Sequence, residues 1–246
     1  MNMAEKNTLP VSLSAVLFDL DDTLLDSFAA RVRAVQDAFQ QTGLKRINAE
    51  EYLRNLGGKQ LNEAFVTLQV EEGRDLKLLD RYRRAYWHKE RGSIRLYPAV
   101  EETLRTLYDR GVNLGVVTQK GGKFDLDGRG VGAWRELEDM GVFDLFSALV
   151  GFEDVTRYKP DPEGVNIALE RLGAPPHETL LVGDSGADIA AAQAAGCWSC
   201  HAIWGIPVSE HSLAPVKPDM VARTPEVLLG LEYTPRASEI IQTRRS

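Results

Sequence analysis

The chain has 246 residues, of which 43% are hydrophobic, and a formal net charge of −7 at pH 7. A chain of this length can bury roughly 70–75% of its extended surface, so it needs no disulfide to hold a core. The acidic balance argues against a sequence-independent nucleic-acid surface, which needs clustered positive charge. Residues 1–14 contain no apolar signal core, and no apolar run approaches the roughly 18 residues that span a bilayer. We therefore expect a cytoplasmic protein without nucleic-acid or membrane partners.

The first predicted element is a short apolar strand near residues 15–20, which ends in acidic residues. Because side chains alternate along a strand, Asp19 and Asp21 point to the same side and Leu20 points to the other. Two converging carboxylates repel one another unless a cation lies between them, and Mg²⁺ prefers such oxygen ligands. A Mg²⁺ site at the strand end is one interpretation of this spacing, but an acidic turn before a helix is the commoner outcome for such a pair, and the rest of the chain decides between them.

The next stretch, residues 26–97, has no strand pattern. Its apolar residues recur three or four positions apart, as amphipathic helices require. Two such series are Phe28, Val32, Val35, Phe39 and Leu79, Tyr82, Tyr86. The pattern predicts a helical domain over 26–97, inserted into a second domain made of residues 1–25 and 98–246.

The rest of the chain alternates short strands with helices, which is typical of a parallel sheet with helices on both faces. Strands are predicted near 113–118, 148–151, 180–183 and 199–203, and helices over 99–110, 133–140, 162–172 and 186–195. Gly111, Gly141, Gly173 and Gly196 each follow a predicted helix, where a left-handed residue ends it. The predicted fold class is α/β with a Rossmann-like parallel sheet, which binds ligands at the carboxyl ends of its strands.

Cys197 and Cys200 have the spacing of a redox pair but lie in an apolar segment that is typical of a strand. A thioredoxin-type pair needs a helix start. We predict buried, reduced thiols, since free cysteine usually behaves as a small hydrophobic residue.

Three further motifs follow predicted strands. Thr118 closes the strand near 113–118, and Asp184 ends the strand near 180–183 with Asp188 one helical turn later. Lys159 comes before a helix, and Pro160 favours an extended backbone at this lysine. All these residues are expected at the same edge of the sheet as Asp19.

The motifs, in this order, resemble those of the haloacid dehalogenase-like hydrolases, most closely the branch of phosphoglycolate phosphatase and β-phosphoglucomutase. The resemblance covers nearly the whole chain, and the matching residues are Asp19, Asp21, Thr23, Thr118, Lys159, Pro160, Gly183, Asp184, Ser185 and Asp188. It implies that the helical insert is an all-helical cap that closes over the site. It also implies a Mg²⁺-dependent phosphatase that hydrolyses a small phosphorylated metabolite, a phosphate monoester, through an aspartyl-phosphate.

The resemblance also implies a role for each motif residue. Asp19 is the expected nucleophile, and Asp21 the general acid and then base. The expected metal ligands are Asp19, Asp184, Asp188 and, through its backbone carbonyl, Asp21. The residues expected to bind the phosphoryl oxygens are Thr118, Gln119 and Lys159.

Two segments are expected to touch the leaving group. The stretch 121–132 is Gly-rich and longer than most connections, and the family usually has Asn or Ser, then Lys, where this chain has Gln119 and Lys120. We expect this loop to border the substrate entrance, with Lys120 or Lys123 selecting the leaving group. Lys59, after two glycines in the helical insert, is a second possible contact. The alternatives are a mobile solvent loop and a plain helix–helix turn.

Other functions compete with the phosphatase. A sugar-phosphate mutase of the same fold would use the same Asp19 and Asp21, and the sequence does not separate the two. A non-catalytic phosphometabolite-binding protein is disfavoured because every charged motif residue is present. The run around Asp184 and Ser185 is also similar to the nucleophile segment of chymotrypsin-like proteases, but those are all-β and disulfide-supported. The individual substrate and the oligomeric state stay open.

Overall fold

The computed structural model places residues 9, 11–56, 60–205 and 216–235, and the description below covers these. The strands are β1 (Ala15–Phe18), β2 (Leu25–Asp26), β3 (Arg95–Leu96), β4 (Asn113–Val117), β5 (Phe124–Leu126), β6 (Arg129–Val131), β7 (Ala148–Val150), β8 (Thr179–Gly183), β9 (Trp198–Ala202) and β10 (Met220–Ala222). Six of them form the central sheet, in the order β10-β9-β8-β1-β4-β7.

The helices are α1 (Phe28–Thr42), α2 (Ala49–Arg54), α3 (Leu61–Glu71), α4 (Leu78–Ala85), α5 (Val100–Asp109), α6 (Ala133–Asp139), α7 (Glu163–Leu172) and α8 (Gly186–Ala194). A π-helical turn, Tyr86–Glu90, extends α4. The short 3₁₀ helices are Arg91–Ser93, Phe143–Leu145, Phe152–Asp154, Pro176–Glu178 and Pro225–Gly230. Among the residues placed by the structure, no helix combines the length and the apolar character that a membrane span needs.

All pairings in the central sheet are parallel, and β1 lies in its middle between β4 and β8. Along β1, Val16 and Phe18 pack into the core on one face of the sheet, whereas Ala15 and Leu17 pack into the core on the other. Burial on both faces explains why the strands are almost continuously apolar. The predicted α/β fold class is confirmed.

The predicted helices after residue 98 end close to their expected positions. The four glycines that follow them all have left-handed backbone, with φ of 78°, 70°, 61° and 77° at Gly111, Gly141, Gly173 and Gly196. A left-handed residue satisfies the last carbonyl groups of a helix, and glycine adopts it without a steric penalty. The helix that follows Lys159 begins at Glu163, one residue after the predicted Pro162.

Helices α1–α4 occupy the segment expected to be helical. A row of aromatic rings joins them, with centroid separations between 5.3 and 6.4 Å, and comprises Phe39, Tyr52, Phe65, Tyr82 and Tyr86. At both ends of the segment the chain passes through the antiparallel pair β2–β3, in which Leu25 is opposite Leu96. The division into domains at 25/26 and 97/98 stays a prediction.

The Gly-rich stretch 121–132 was expected to be a loop, and this expectation is wrong. It forms the antiparallel hairpin β5–β6, with Phe124 opposite Val131. The two turn residues, Asp127 and Gly128, have φ of 55° and 76°. Positive φ at both positions is the type I′ turn, whose twist matches that of the flanking strands and which favours Asp-Gly.

Candidate active site

Three carboxylates from two adjacent strand ends meet at the carboxyl edge of the sheet. Asp19 follows β1, Asp184 follows β8, and Asp188 lies in the first turn of α8; one oxygen from each lies within 4.8 Å of the others. Phe18 and Val182 are in register on β1 and β8, so the two strands end at the same level. A Cβ at Gly183 would lie 2.3 Å from Cγ of Asp188, so only glycine lets this carboxylate approach β8.

Asp188 is fixed by the start of its own helix. The backbone N–H and the hydroxyl of Ser185 donate to Oδ2 of Asp188, at 3.1 and 2.5 Å, and the Asp188 N–H donates back to the Ser185 hydroxyl. This is a capping box, which satisfies backbone groups that the helix leaves free. The carboxylate of Asp188 is only 2% exposed and cannot turn away from the site.

Lys159 places its ammonium group between two of the acids. Its Nζ donates to Oδ1 of Asp19 at 2.6 Å, to Oδ1 of Asp188 at 2.5 Å and to the Val117 carbonyl at 3.0 Å. The Gln119 amide donates to the Lys159 carbonyl at 2.9 Å and so fixes the backbone of the lysine. Thr118, 6% exposed, accepts the Lys120 N–H on its hydroxyl.

Burial and the closeness of the acids to one another shift their pKa values. Burial, opposed by Lys159 and reinforced by Asp188, raises the pKa of Asp19 to about 7. Burial, together with Asp188 and Asp19, raises the pKa of Asp184 well above its ordinary value. Lys159 is buried too, but the two carboxylates that it touches raise its pKa above the ordinary range.

This donor set fits a hard divalent cation. Asp184 accepts a hydrogen bond from the Thr23 hydroxyl at 3.1 Å, and across the described ranges it forms no ion pair. Three carboxylates share one positive side chain, so a divalent ion would relieve the remaining repulsion. Carboxylate oxygens are the ligands that Mg²⁺ prefers. Asp19, Asp184 and Asp188 are therefore the side chains that could hold it.

The carboxylate of Asp21 lies outside this group of three. Its Oδ1 accepts from the Ser27 hydroxyl at 2.6 Å and from Lys120 Nζ at 2.8 Å. Burial alone would raise the pKa of Asp21, but Lys120 and Arg31 outweigh it and lower the pKa below its usual value. A metal contact from Asp21 would have to use its backbone carbonyl, as expected from the family resemblance.

Lys120 joins Asp21 to two residues that the sequence analysis did not assign to the site, Tyr86 and Glu136. Its Nζ also donates to the carboxylate of Glu136 at 2.8 and 3.0 Å and to the Tyr86 hydroxyl at 2.8 Å. Tyr86 in turn donates to Glu136 at 2.6 Å. We call Asp21, Tyr86, Lys120 and Glu136 the Lys120 cluster. The available signal for Glu136 was its place on the apolar face of α6, beside Ala133 and Leu137.

Two residues that follow Asp19 closely are buried. Asp22 lies in the turn after β1, where solvent exposure is common, but it is 6% exposed and forms an ion pair with Arg31. Thr23 belongs to the same turn but is fully buried. It supports Asp184 through its hydroxyl, so both residues belong to the site rather than to the surface.

The carboxylates open into a cavity of about 540 Å³. Residues of the sheet edge line its floor, and residues of α1–α4, of the following π-helical turn and of the β5–β6 hairpin line its walls. Lys120 contributes to the wall, whereas the exposed Lys123 lies over the Trp134 ring, 4.9 Å from its centroid. Lys59 lies outside the described residues. Its role and those of Lys120 and Lys123 in substrate selection stay predictions.

The parallel sheet gathers four aspartates and a lysine at one edge, beneath a helical segment, and this is a Rossmann-like α/β fold with its polar site at the carboxyl ends of the strands. The sequence model described as haloacid dehalogenase-like hydrolase matches residues 16–202. The chain belongs to this family, as the motifs predicted.

Relatives and solved structures agree with this assignment. The pyrophosphatase PpaX of Bacillus pumilus is 31% identical over 89% of this chain and 96% of its own length. The phosphoglycolate phosphatase of Aliivibrio fischeri is 32% identical over the same shares. A haloacid dehalogenase-like hydrolase of Bacteroides fragilis superposes with a TM-score of 0.71 at 27% identity, over 85% of this chain and 96% of its own.

Proposed function

We propose that the protein is a Mg²⁺-dependent phosphatase that hydrolyses a small phosphate monoester through an aspartyl-phosphate on Asp19. The observation that carries the proposal is the state of the Asp19 carboxylate at the cavity floor. Lys159 binds its Oδ1, whereas its Oδ2 has no hydrogen-bond partner among the residues that the structure describes. That oxygen is available to attack phosphorus, while the ammonium group holds the carboxylate in place.

In the first step, Asp19 Oδ2 forms a bond to phosphorus and the bond from phosphorus to the ester oxygen breaks. Asp21 gives its proton to the leaving oxygen. In the second step, water attacks phosphorus, Asp21 takes a proton from that water, and the bond to Asp19 breaks. Splitting one displacement into two easier ones is the gain from a covalent intermediate.

The surroundings of Asp21 suit this exchange of protons. Lys120 lowers its pKa and favours the ionised form that the second step needs. An anionic phosphoryl group arriving beside Asp21 would raise that pKa again and favour the protonated form that the first step needs. The proton transfers are worth about 10²–10⁴-fold in rate in comparable enzymes.

Asp19, Asp184, Asp188 and the backbone carbonyl of Asp21 would hold Mg²⁺. When bound, the ion would reduce the repulsion between the carboxylate and the phosphoryl group, both of which are anionic. We assign Lys159 and Thr118 to the phosphoryl oxygens, and Gln119 to the same site, with its amide also fixing the Lys159 backbone.

The test is hydrolysis of p-nitrophenyl phosphate with Mg²⁺, with and without EDTA. Asp19→Asn should abolish phosphate release, and Asp26→Asn, at an exposed acid on β2, is the matched control that should keep it. Retained activity in Asp19→Asn would refute the proposal. Release of inorganic phosphate from sugar phosphates, rather than formation of an isomer, would separate the phosphatase from a mutase.

A further inference from the structure

The outer part of the cavity is built for a larger group than the phosphoryl group. Six aromatic residues line the cavity, namely Phe28, Tyr82, Tyr86, Trp87, Phe124 and Phe152. Its volume of about 540 Å³ lies within the range of about 300–1,000 Å³ that is typical of sites for drug-sized ligands. A leaving group as small as glycolate or inorganic phosphate would leave most of the aromatic wall without contact.

One positive side chain of this wall, Arg83, makes no direct ion pair with any described residue, although Glu153 is near enough to act on it electrostatically. Of the other cations that line the cavity, Arg31 pairs with Asp22, Arg54 with Glu50, Lys120 with Asp21 and Glu136, and Lys159 with Asp19 and Asp188. Within the described part of the chain, the side chain of Arg83 forms neither an ion pair nor a hydrogen bond, although it is only partly exposed.

Arg83 is nevertheless held in a defined place. Its guanidinium group lies over the ring of Phe124, 4.6 Å from the centroid. Trp87 contacts the same ring edge to face at a centroid separation of 6.3 Å. A guanidinium stacked in this way keeps its in-plane donors free for an anion, because stacking uses only the flat face.

The hairpin and the helical segment are tied together next to this position. Asp127 in the hairpin turn accepts from Arg84 and lies 3.1 Å from Nε2 of His88. These contacts join the hairpin that carries Phe124 to the helix that carries Arg83. A preorganised site loses less freedom on binding, so its contacts contribute more to affinity.

We propose that Arg83 and the aromatic wall around Phe124 form a subsite for the leaving group of the substrate. The substrate is then a phosphate ester whose alcohol part carries an aromatic ring and a second anionic group. The ring packs on the aromatic wall, and the anion pairs with Arg83. This inference rests on the proposed phosphatase function and specifies its substrate class.

Three esters test the subsite, namely 4-carboxyphenyl phosphate, phenyl phosphate and glycerol 2-phosphate. Since the three leaving groups differ in acidity, each ester is compared between the wild type and a variant rather than with the other esters. Arg83→Gln should lower kcat/KM about tenfold to a hundredfold for 4-carboxyphenyl phosphate, and change it by less than about twofold for phenyl phosphate. Phe124→Leu should lower kcat/KM for both ring esters and spare glycerol 2-phosphate.

Arg81→Gln is the matched control. Arg81 lies on the same helix as Arg83 but does not line the cavity, and this substitution removes the same charge. It should change none of the three values. An equal effect of Arg83→Gln on all three esters, or no effect on any, would overturn the proposal.

Binding of a non-hydrolysable probe keeps this inference separate from the proposed function. Calorimetry with 4-carboxyphenylphosphonate should show binding that Arg83→Gln weakens about tenfold or more. Such binding in a protein that hydrolyses no ester would support the subsite and contradict the phosphatase. Binding that is equal in wild type and Arg83→Gln would overturn the subsite, whatever the hydrolytic activity.

Discussion

Lys120→Met removes the ammonium group that Asp21, Tyr86 and Glu136 share, while keeping an unbranched side chain of similar length. The carboxylate of Glu136 is only 2% exposed and would lose its cation. Breaking a buried ion pair from one side typically costs about 3–5 kcal/mol, because the remaining charge stays buried without compensation. We expect Lys120→Met to lower the free energy of unfolding by that amount.

Glu136→Gln keeps the shape of the side chain and an acceptor for Tyr86, but removes its charge. The Glu136 carboxylate accepts two hydrogen bonds from Lys120 Nζ, at 2.8 and 3.0 Å. Replacing this charged acceptor by a neutral amide should lower the free energy of unfolding by about 1–3 kcal/mol. In the double variant, position 136 is neutral, so no buried carboxylate is left there without its cation. The double variant should therefore be more stable than the sum of the single changes predicts, by about 1–2 kcal/mol.

Urea unfolding of the wild type, both single variants and the double variant gives these four free energies from the midpoint and the m-value. Lys123→Met is the control. Lys123 is close to Lys120 in the sequence, but its side chain is exposed. Its replacement should therefore change the free energy of unfolding by no more than about 0.5–1 kcal/mol. If the two single changes are additive within about 0.5 kcal/mol, the Lys120 cluster is not an energetic unit and the reasoning fails.

Three further predictions follow from single side chains. Thr23→Val removes the hydroxyl that supports Asp184 and should raise the Mg²⁺ concentration for half-maximal activity about tenfold; an unchanged Mg²⁺ titration would contradict this role. Thr103→Val should raise the free energy of unfolding by about 1 kcal/mol, measured by urea unfolding, because this hydroxyl is buried and finds no partner among the described residues; a loss of stability would refute it. Burial raises the pKa of Cys197 and Cys200 to about 12, so at pH 8 a thiolate-directed reagent should modify both thiols in denaturant but only slowly in the native protein. Fast native reaction would show that the thiols are not buried.

Much of the fold could be predicted because burial leaves periodic marks on the sequence. The strands that flank the site are short apolar runs, and glycines such as Gly173 and Gly196 end the helices. The hairpin was missed because its strands have three residues each, too few to show alternation, although Asp127-Gly128 is a typical type I′ turn. The strand β10 (Met220–Ala222) was missed for the same reason of length.

The residues of the candidate site also fall into two groups, those that the sequence could place and those that it could not. Asp19, Asp184 and Lys159 could be placed because each follows a strand that ends at the same edge of a parallel sheet. Glu136 and Tyr86 could not, because their contact with Lys120 depends on how α6 and the helical segment pack, which no local pattern encodes. The same holds for Arg31, whose ion pair buries Asp22 instead of leaving it in solvent.

The central claim, that phosphorus becomes bound to Asp19, can be tested by chemical trapping. Enzyme quenched in acid during turnover of p-nitrophenyl phosphate is treated with borohydride, which reduces an acyl phosphate to an alcohol, and the digest is analysed by mass spectrometry. We expect homoserine at position 19 in the turning-over enzyme, and aspartate there when substrate is omitted. Homoserine at another aspartate, or unmodified Asp19 in enzyme that is releasing phosphate, would contradict the claim.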